Sequence, residues 1–155
     1  EFDALFKHKT LIDDPTVYIN ITSKCKQDDA PSGAENWFVM INAPSREGGL
    51  SAEEINLAKA NIIKKIEGVL KTDLASKIVC EEILTPSLIQ SKTSSYLGAL
   101  YGTSSNDPMS AFLRHPNFSK NLKNLYFTGG SVHPGGGIPL CLLSAKIIDE
   151  MLDHA

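Results

Sequence analysis

The sequence predicts a mixed α+β fold, and three features of the chain support that prediction. β-Branched and aromatic residues alternate with others over residues 16–22, which is the pattern of a strand with at least one buried face. A capping box formed by Ser51 and Glu54 precedes an apolar-periodic segment of about five helical turns. Near the end of the chain, a short apolar strand leads into a glycine-rich loop and then into a last helix.

The first half of the chain contains three further predicted elements. Residues 2–9 carry apolar side chains at helical spacing, which predicts the end of a helix. Residues 36–42 predict a second strand, joined to the first by a long polar loop and antiparallel to it. Because this second strand is almost continuously apolar, we expect both of its faces to be covered. The helix after the capping box places five apolar residues on one face: Ile55, Ala58, Ile62, Ile66 and Val69.

The second half of the chain is less regular. Residues 78–84 are apolar and β-branched enough to predict a third strand, and Thr85-Pro86 opens a short helix that ends near Lys92. Glycine and proline interrupt the apolar periodicity that would predict a helix or a strand in residues 93–124, apart from a short predicted helix at 108–113. An irregular stretch of this length inside a compact domain usually has a function.

Composition and charge exclude several classes of function. The 155-residue chain is 42% hydrophobic and 21% charged, as expected of a globular protein, and its net charge of -3 argues against nucleic-acid binding. No apolar run approaches the ~20 residues needed to span a bilayer. Cys25, Cys80 and Cys141 are too scattered for a metal knuckle or a disulfide framework, and their odd number fits a reducing compartment, which predicts a cytoplasmic protein.

The glycine-rich loop of residues 129–137 is the most informative segment. It follows a predicted strand at 124–128 and precedes a helix predicted from Ile138 to about residue 152. Glycine permits positive φ and close approach of a ligand to the backbone, and Pro139 suits the first helical position. The helix is apolar almost all round at its start, so we expect that end to be buried, with its positive dipole end pointing into the protein.

This loop matches neither common phosphate-binding motif. A Gly-x-x-x-x-Gly-Lys-Ser/Thr run is absent, and so is a Gly-x-Gly-x-x-Gly fingerprint followed by an acidic residue. The residues alone therefore leave two alternatives. The loop contacts an anionic cofactor, or it is a structural glycine turn beneath a packed helix.

A resemblance to a known family favours the first alternative. Residues 123–140, which include His-Pro-Gly-Gly-Gly-Ile-Pro at 133–139, closely resemble the C-terminal signature of phytoene (carotenoid) desaturases and related FAD-dependent oxidoreductases. Segments 14–19, 29–36 and 98–102 occur in the order that the family shows. The resemblance implies an antiparallel-rich substrate-side sheet with covering helices, as part of a larger FAD/NAD(P)-binding two-domain fold.

The resemblance also assigns roles along the chain. Residues 1–124 correspond to a partial substrate-side domain, and residues 125–155 to the strand, loop and helix that close an FAD site. The implied reaction is hydride transfer from a carbon–carbon bond of an apolar polyene to the flavin, whose reduced form the helix dipole stabilises. Because such substrates reside in the bilayer, the parent enzyme is expected to contact the membrane peripherally. The implied cofactor contacts are Thr128, Gly129, Gly130, His133, Gly136, Gly137, Ile138 and Pro139.

One departure from the family is large. The family's N-terminal strand–Gly-x-Gly-x-x-Gly–helix, the Rossmann part that holds the FAD pyrophosphate, is absent from this chain, which begins at Glu1 without an initiator Met. We therefore expect a C-terminal fragment that is inactive alone and retains FAD weakly or not at all. Two alternatives remain open: an isolated non-catalytic substrate-side domain, or part of a different flavin-dependent oxidase or isomerase.

Two side chains have competing interpretations. His133 is a candidate general base, although a loop histidine held in place for conformational reasons is the favoured interpretation. Tyr101 either lines the substrate channel or is an ordinary core or rim aromatic residue. No metal is expected, because the histidines have no carboxylate cluster near them in the sequence.

Overall fold

The computed structural model describes residues 1–103 and 114–153. The chain forms two compact units, Glu1–Pro86 and Ser87–Ala155. The predicted mixed α+β class is confirmed. The predicted boundary between residues 124 and 125 stays a prediction.

The first unit contains a two-stranded antiparallel sheet. Strand β1, Val17–Asn20, pairs with β2, Phe38–Ile41, so that Val17 lies opposite Ile41. The antiparallel pairing is confirmed, although both strands are shorter than predicted. The prediction that both faces of β2 are covered is wrong, since Phe38 is 59% exposed. Among the described residues, the sheet consists of these two strands.

Helix α1, Ala52–Leu70, follows the sheet, and the predicted capping box at its start is confirmed. The Glu54 N–H donates to Ser51 Oγ at 3.2 Å, and the Ser51 N–H donates to the Glu54 carboxylate at 2.8 Å. The helix ends at Leu70, and the next residue, Lys71, has a left-handed φ of 53° and donates its N–H to the Glu67 carbonyl. Of the predicted apolar face, Ile66 is buried, whereas Val69 is exposed.

Polar side chains tie α1 to the segment before β1. Lys65 Nζ donates to the Pro15 carbonyl at 2.7 Å and lies 2.6 Å from the Asp14 carboxylate. Arg46 pairs with Glu54 and also donates to the Lys9 carbonyl. Ion pairs this exposed stabilise a fold only weakly, so burial of residues such as Leu5 and Ile66 carries more of the stability.

The strand predicted at residues 78–84 does not form, and this prediction is wrong. Val79 is 96% exposed, and the segment is irregular after a 3₁₀ turn at Ala75–Lys77. A strand exists only with a hydrogen-bonded neighbour, and the sheet of the described residues consists of β1 and β2. An ion pair between Lys59 and Glu81 connects the segment to α1 instead.

Helix α2, Pro86–Thr93, begins where the first unit ends, and it confirms the predicted short helix. A 3₁₀ turn follows at Tyr96–Gly98. The helix predicted at 108–113 lies outside the described residues. The strand predicted at 124–128 is reduced to a single antiparallel bridge between Phe118 and Tyr126.

Helix α3, Ile138–Asp153, confirms the predicted last helix. Pro139 is the second residue of the helix rather than the first. The N–H of a second helical residue has no intrahelical acceptor, so a proline at this position costs no helical hydrogen bond. The predicted burial of the helix start is wrong, because Ile138 is 79% and Leu142 67% exposed. A unit this small covers only the side of α3 on which the fully buried Ser144 lies. In the described ranges, no helix is both long and apolar enough to cross a bilayer.

Candidate functional site

The glycine loop, defined as residues 129–137, has a backbone that requires glycine at three positions. The φ angles of Gly129, Gly135 and Gly137 are 122°, 136° and 101°. Side-chain-bearing L-residues rarely adopt these angles, so the glycines are needed for the path of the chain itself.

The space around each glycine separates the loop into two surfaces. A Cβ added to Gly129 or Gly137 would meet no atom within 4 Å, so the backbone is open to a ligand at both positions. A Cβ at Gly135 would lie 3.0 Å from Arg114 Nε, and one at Gly136 would overlap the ring of Tyr101. The loop therefore has one surface that is open and another that is packed against the chain, and contact with a cofactor stays a prediction.

The open surface adjoins the N-terminus of α3. The first helical hydrogen bond runs from the Cys141 N–H to the Gly137 carbonyl at 2.9 Å. The N–H groups of Ile138 and Leu140 therefore have no intrahelical partner, and Pro139 carries none. Because these donors lie at the positive end of the helix dipole, the arrangement suits an anionic or electron-accepting group.

A buried polar pair holds the loop against α3. Asn117 is 4% exposed and Ser144 0% exposed. Asn117 Nδ2 lies 2.8 Å from Ser144 Oγ, 2.8 Å from the His133 carbonyl and 3.1 Å from the Phe127 carbonyl. Ser144 Oγ also accepts from the Gly129 N–H at 3.2 Å. The pair thus connects the chain before the loop, both parts of the loop and the helix after it.

The sequence carries a signal for Ser144 but none that pairs it with Asn117. A single hydroxyl within an otherwise apolar helical run indicates a buried polar group, and such a group requires hydrogen-bond partners. Asn117 follows Arg114-His115-Pro116, a run that gave no clear indication of a role.

Tyr101 and Arg114 form the packed side of the loop. Arg114 Nη1 donates to the Tyr101 carbonyl at 2.9 Å and lies 3.5 Å from the Gly130 carbonyl. The Tyr101 ring rests on Gly136, and the residue remains 63% exposed. Its predicted contact with substrate stays a prediction, and its exposed ring face is available for one.

The backbone of His133 is held on both sides. Its N–H donates to the His115 carbonyl at 2.9 Å, and its carbonyl accepts from Asn117. The residue is exposed, so its side chain is accessible from solvent. These contacts involve only the His133 backbone and fix its position independently of the imidazole. A role of the imidazole as a general base stays a prediction.

The remaining predicted cofactor contacts lie together at the surface of the same segment. Thr128, Ile138 and Pro139 are exposed and flank the glycine loop on its two sides. In the described part of the chain, no cluster of three or more histidine, cysteine or acidic side chains is arranged to hold a metal ion.

Comparison with known proteins connects this chain to carotenoid-modifying enzymes. No family model matches it. It is 57% identical over 154 residues to a 1-hydroxycarotenoid 3,4-desaturase of Flavobacterium sp. (strain P99-3), and the aligned region covers 99% of this chain and 32% of the relative. It is 37% identical over 153 residues to a 4,4'-diapolycopene oxygenase of Methylomonas sp, covering 97% of this chain and 31% of the relative.

A third relative agrees with the first two. A 4,4'-diaponeurosporene oxygenase of Staphylococcus aureus (strain MSSA476) is 34% identical over 153 residues, covering 98% of this chain and 31% of the relative. The chain thus spans about a third of the length of the curated relatives that it matches. It belongs to the carotenoid desaturase-like family and corresponds to about the C-terminal third of its members.

Proposed function

We propose that this chain is the C-terminal part of an FAD-dependent oxidoreductase that desaturates a carotenoid. The observation that carries the proposal is the open surface of the glycine loop, where Gly129 and Gly137 expose backbone beside the N-terminus of α3. A flat cofactor with an anionic reduced form fits such a surface, because no Cβ blocks its approach and helical N–H groups face it.

The residues present fit FAD on this open surface. Gly129, Gly137 and Ile138 would hold it through backbone groups, with Thr128 and Pro139 at its edges. When bound, FAD supplies the acceptor for a hydride removed from a carbon–carbon bond of the substrate. The other proposed contacts, Gly130 and Gly136, face the chain itself and would act by holding the loop in shape.

The chain's own groups have three further roles in this proposal. The N–H groups at the start of α3 favour negative charge next to Gly137. The exposed apolar side chains of Ile138 and Leu142 exclude water from the site and suit an apolar polyene. Tyr101 lines the substrate side with its exposed ring face, and His133 is the candidate group for accepting the proton lost from the substrate.

Desaturation is favoured over oxygenation by the similarity to the relatives. The desaturase relative is 57% identical to this chain, whereas the two oxygenases are 37% and 34% identical. On the same basis, we propose a hydroxylated carotenoid as the substrate. Mass spectrometry distinguishes the two products, since desaturation removes two hydrogens from the carotenoid whereas oxygenation adds oxygen. Desaturation also shifts the absorption spectrum of the carotenoid to the red.

The isolated 155-residue chain is proposed to be inactive. It spans about a third of its relatives, and the pyrophosphate-binding part is proposed to lie in the remainder. The parent protein is proposed to be cytoplasmic and to contact the membrane surface peripherally, where its substrate resides. Flotation with liposomes tests that contact, and a parent protein that stays in the aqueous fraction would exclude it.

Flavin content tests the proposed function directly. The full-length protein is expected to purify with flavin absorbance, or to acquire it from added FAD, and to convert a hydroxycarotenoid in liposomes. A folded full-length protein that takes up no FAD would refute the proposal. If the protein bound FAD but oxygenated the carotenoid, the proposed cofactor would stand and the proposed reaction would be wrong.

A further inference from the structure

We infer that Asn117 and Ser144 are positioning residues that set the shape of the glycine loop and the direction of the α3 N-terminus, and thereby the affinity and reduction potential of the flavin. The inference rests on the proposed function as far as the flavin is concerned. Its structural part concerns only residues of this chain.

The orientation of the Asn117 carboxamide is determined by its surroundings. Two backbone carbonyls, of Phe127 and His133, face Nδ2 at 3.1 and 2.8 Å. A carbonyl accepts and never donates, so the amide group must direct its NH2 toward them, and a flipped amide would place oxygen against oxygen. Neither the acid nor a shorter side chain reproduces this arrangement.

Ser144 extends the network into the helix. Its Oγ accepts from Asn117 Nδ2 at 2.8 Å and from the Gly129 N–H at 3.2 Å. One hydroxyl therefore joins the first residue of the loop to the second turn of α3. Since Gly129 and the α3 N-terminus form the two ends of the open surface, this bond sets the spacing between them.

Burial makes the network costly to break. Ser144 is fully buried and Asn117 nearly so, and a buried donor left without an acceptor is more damaging than the loss of an exposed bond. Removing the Ser144 hydroxyl takes away the acceptor of the Gly129 N–H, whereas the two Asn117 N–H groups can still donate to the Phe127 and His133 carbonyls. The expected response is a shift of the loop away from α3, which moves backbone donors relative to the flavin.

The test compares Ser144→Ala with the conservative Ser144→Thr in the full-length protein. Ser144→Ala is expected to weaken FAD binding about tenfold or more and to shift the flavin reduction potential. Ser144→Thr keeps the hydroxyl but adds a methyl group at a fully buried position, so it is expected to bind FAD more tightly than Ser144→Ala and less tightly than wild type. Asn117→Asp should behave like Ser144→Ala, and Asn121→Ala, at an exposed asparagine of the same unit, is the matched control.

Amide hydrogen exchange of the protein without flavin provides a second readout. In Ser144→Ala, the amides of the glycine loop should exchange faster than in wild type, while those of α1 remain unchanged. Unchanged loop exchange, or FAD affinity and potential equal to wild type, would overturn the inference. If wild type bound no FAD but Ser144→Ala still accelerated loop exchange, the proposed function would fail and the structural part of the inference would stand.

Discussion

The contact between Gly136 and Tyr101 leads to a quantitative prediction for Gly136→Ala. The added Cβ would overlap Tyr101 Cδ1 and lie 3.0 Å from Cγ and 3.2 Å from Cε1, whereas carbon atoms in contact prefer about 3.5–4.0 Å. The φ of Gly136 lies outside the left-handed region, so the substitution introduces no backbone strain. The whole effect should therefore come from displacement of the ring.

The magnitude follows from the part of Tyr101 that is covered. With 63% of the residue exposed, the covered part corresponds to about 60–80 Å². Losing it should lower the free energy of unfolding by about 2 kcal/mol. The ring can swing into solvent, so a larger penalty from trapped overlap is not expected.

A double-mutant cycle in the full-length protein checks this origin. Gly136→Ala and Tyr101→Ala should each destabilise by a similar amount, measured by urea unfolding followed by circular dichroism. The double variant should be no less stable than Tyr101→Ala alone, because the ring is already gone. Additive losses, or a Gly136→Ala protein as stable as wild type, would refute the reasoning.

Four further predictions follow from other parts of the chain. Gly68→Ala, in the interior of α1 with open space around the new Cβ, should raise the free energy of unfolding of the full-length protein by about 0.5–1 kcal/mol, and a fall in its urea midpoint would contradict this. The backbone N–H of Ser51 and, to a lesser extent, the Arg46 side chain hold the pKa of Glu54 below its ordinary value. The stabilisation that the Glu54 carboxylate provides is therefore complete at neutral pH, and it is lost as the pH falls from the ordinary glutamate range through the lowered pKa. Glu54→Gln should therefore flatten the acid side of the stability profile, and an unchanged profile would disprove the role. His133→Ala should keep the flavin content of the full-length protein, because its loop contacts use backbone groups, and flavin loss on purification would contradict that. The isolated chain, with Leu5, Ile66 and Val132 as the buried apolar residues of its described part, should bind the dye ANS and unfold without a sharp transition, and a cooperative calorimetric peak would show otherwise.

Local signals in the sequence predicted local structure well. The capping box at Ser51 and Glu54 depends on residues three positions apart, and its geometry is as expected. The start of α3 was predicted within one residue because a glycine run and Pro139 mark it. Such features are encoded in a few neighbouring residues and need no tertiary context.

Non-local features were less predictable. Residues 78–84 have the composition of a strand, but pairing depends on a neighbouring strand that composition does not specify. At the candidate site, the sequence identified the glycines but not which of them face open space. That distinction depends on Tyr101 and Arg114, which contact the loop from distant positions in the chain. The Asn117–Ser144 pair was missed for the same reason.

The hydrogen bond between Asn117 and Ser144 has a consequence for the order in which the protein matures. It joins residues 27 positions apart and closes the chain around the glycine loop. During synthesis from the N-terminus, the loop leaves the ribosome before Ser144 does, so it cannot adopt its final backbone path until the second turn of α3 has followed. Insertion of the proposed cofactor is therefore expected to follow synthesis of the second turn of α3, since the hydrogen bond that shapes its binding surface cannot form before Ser144 has been made.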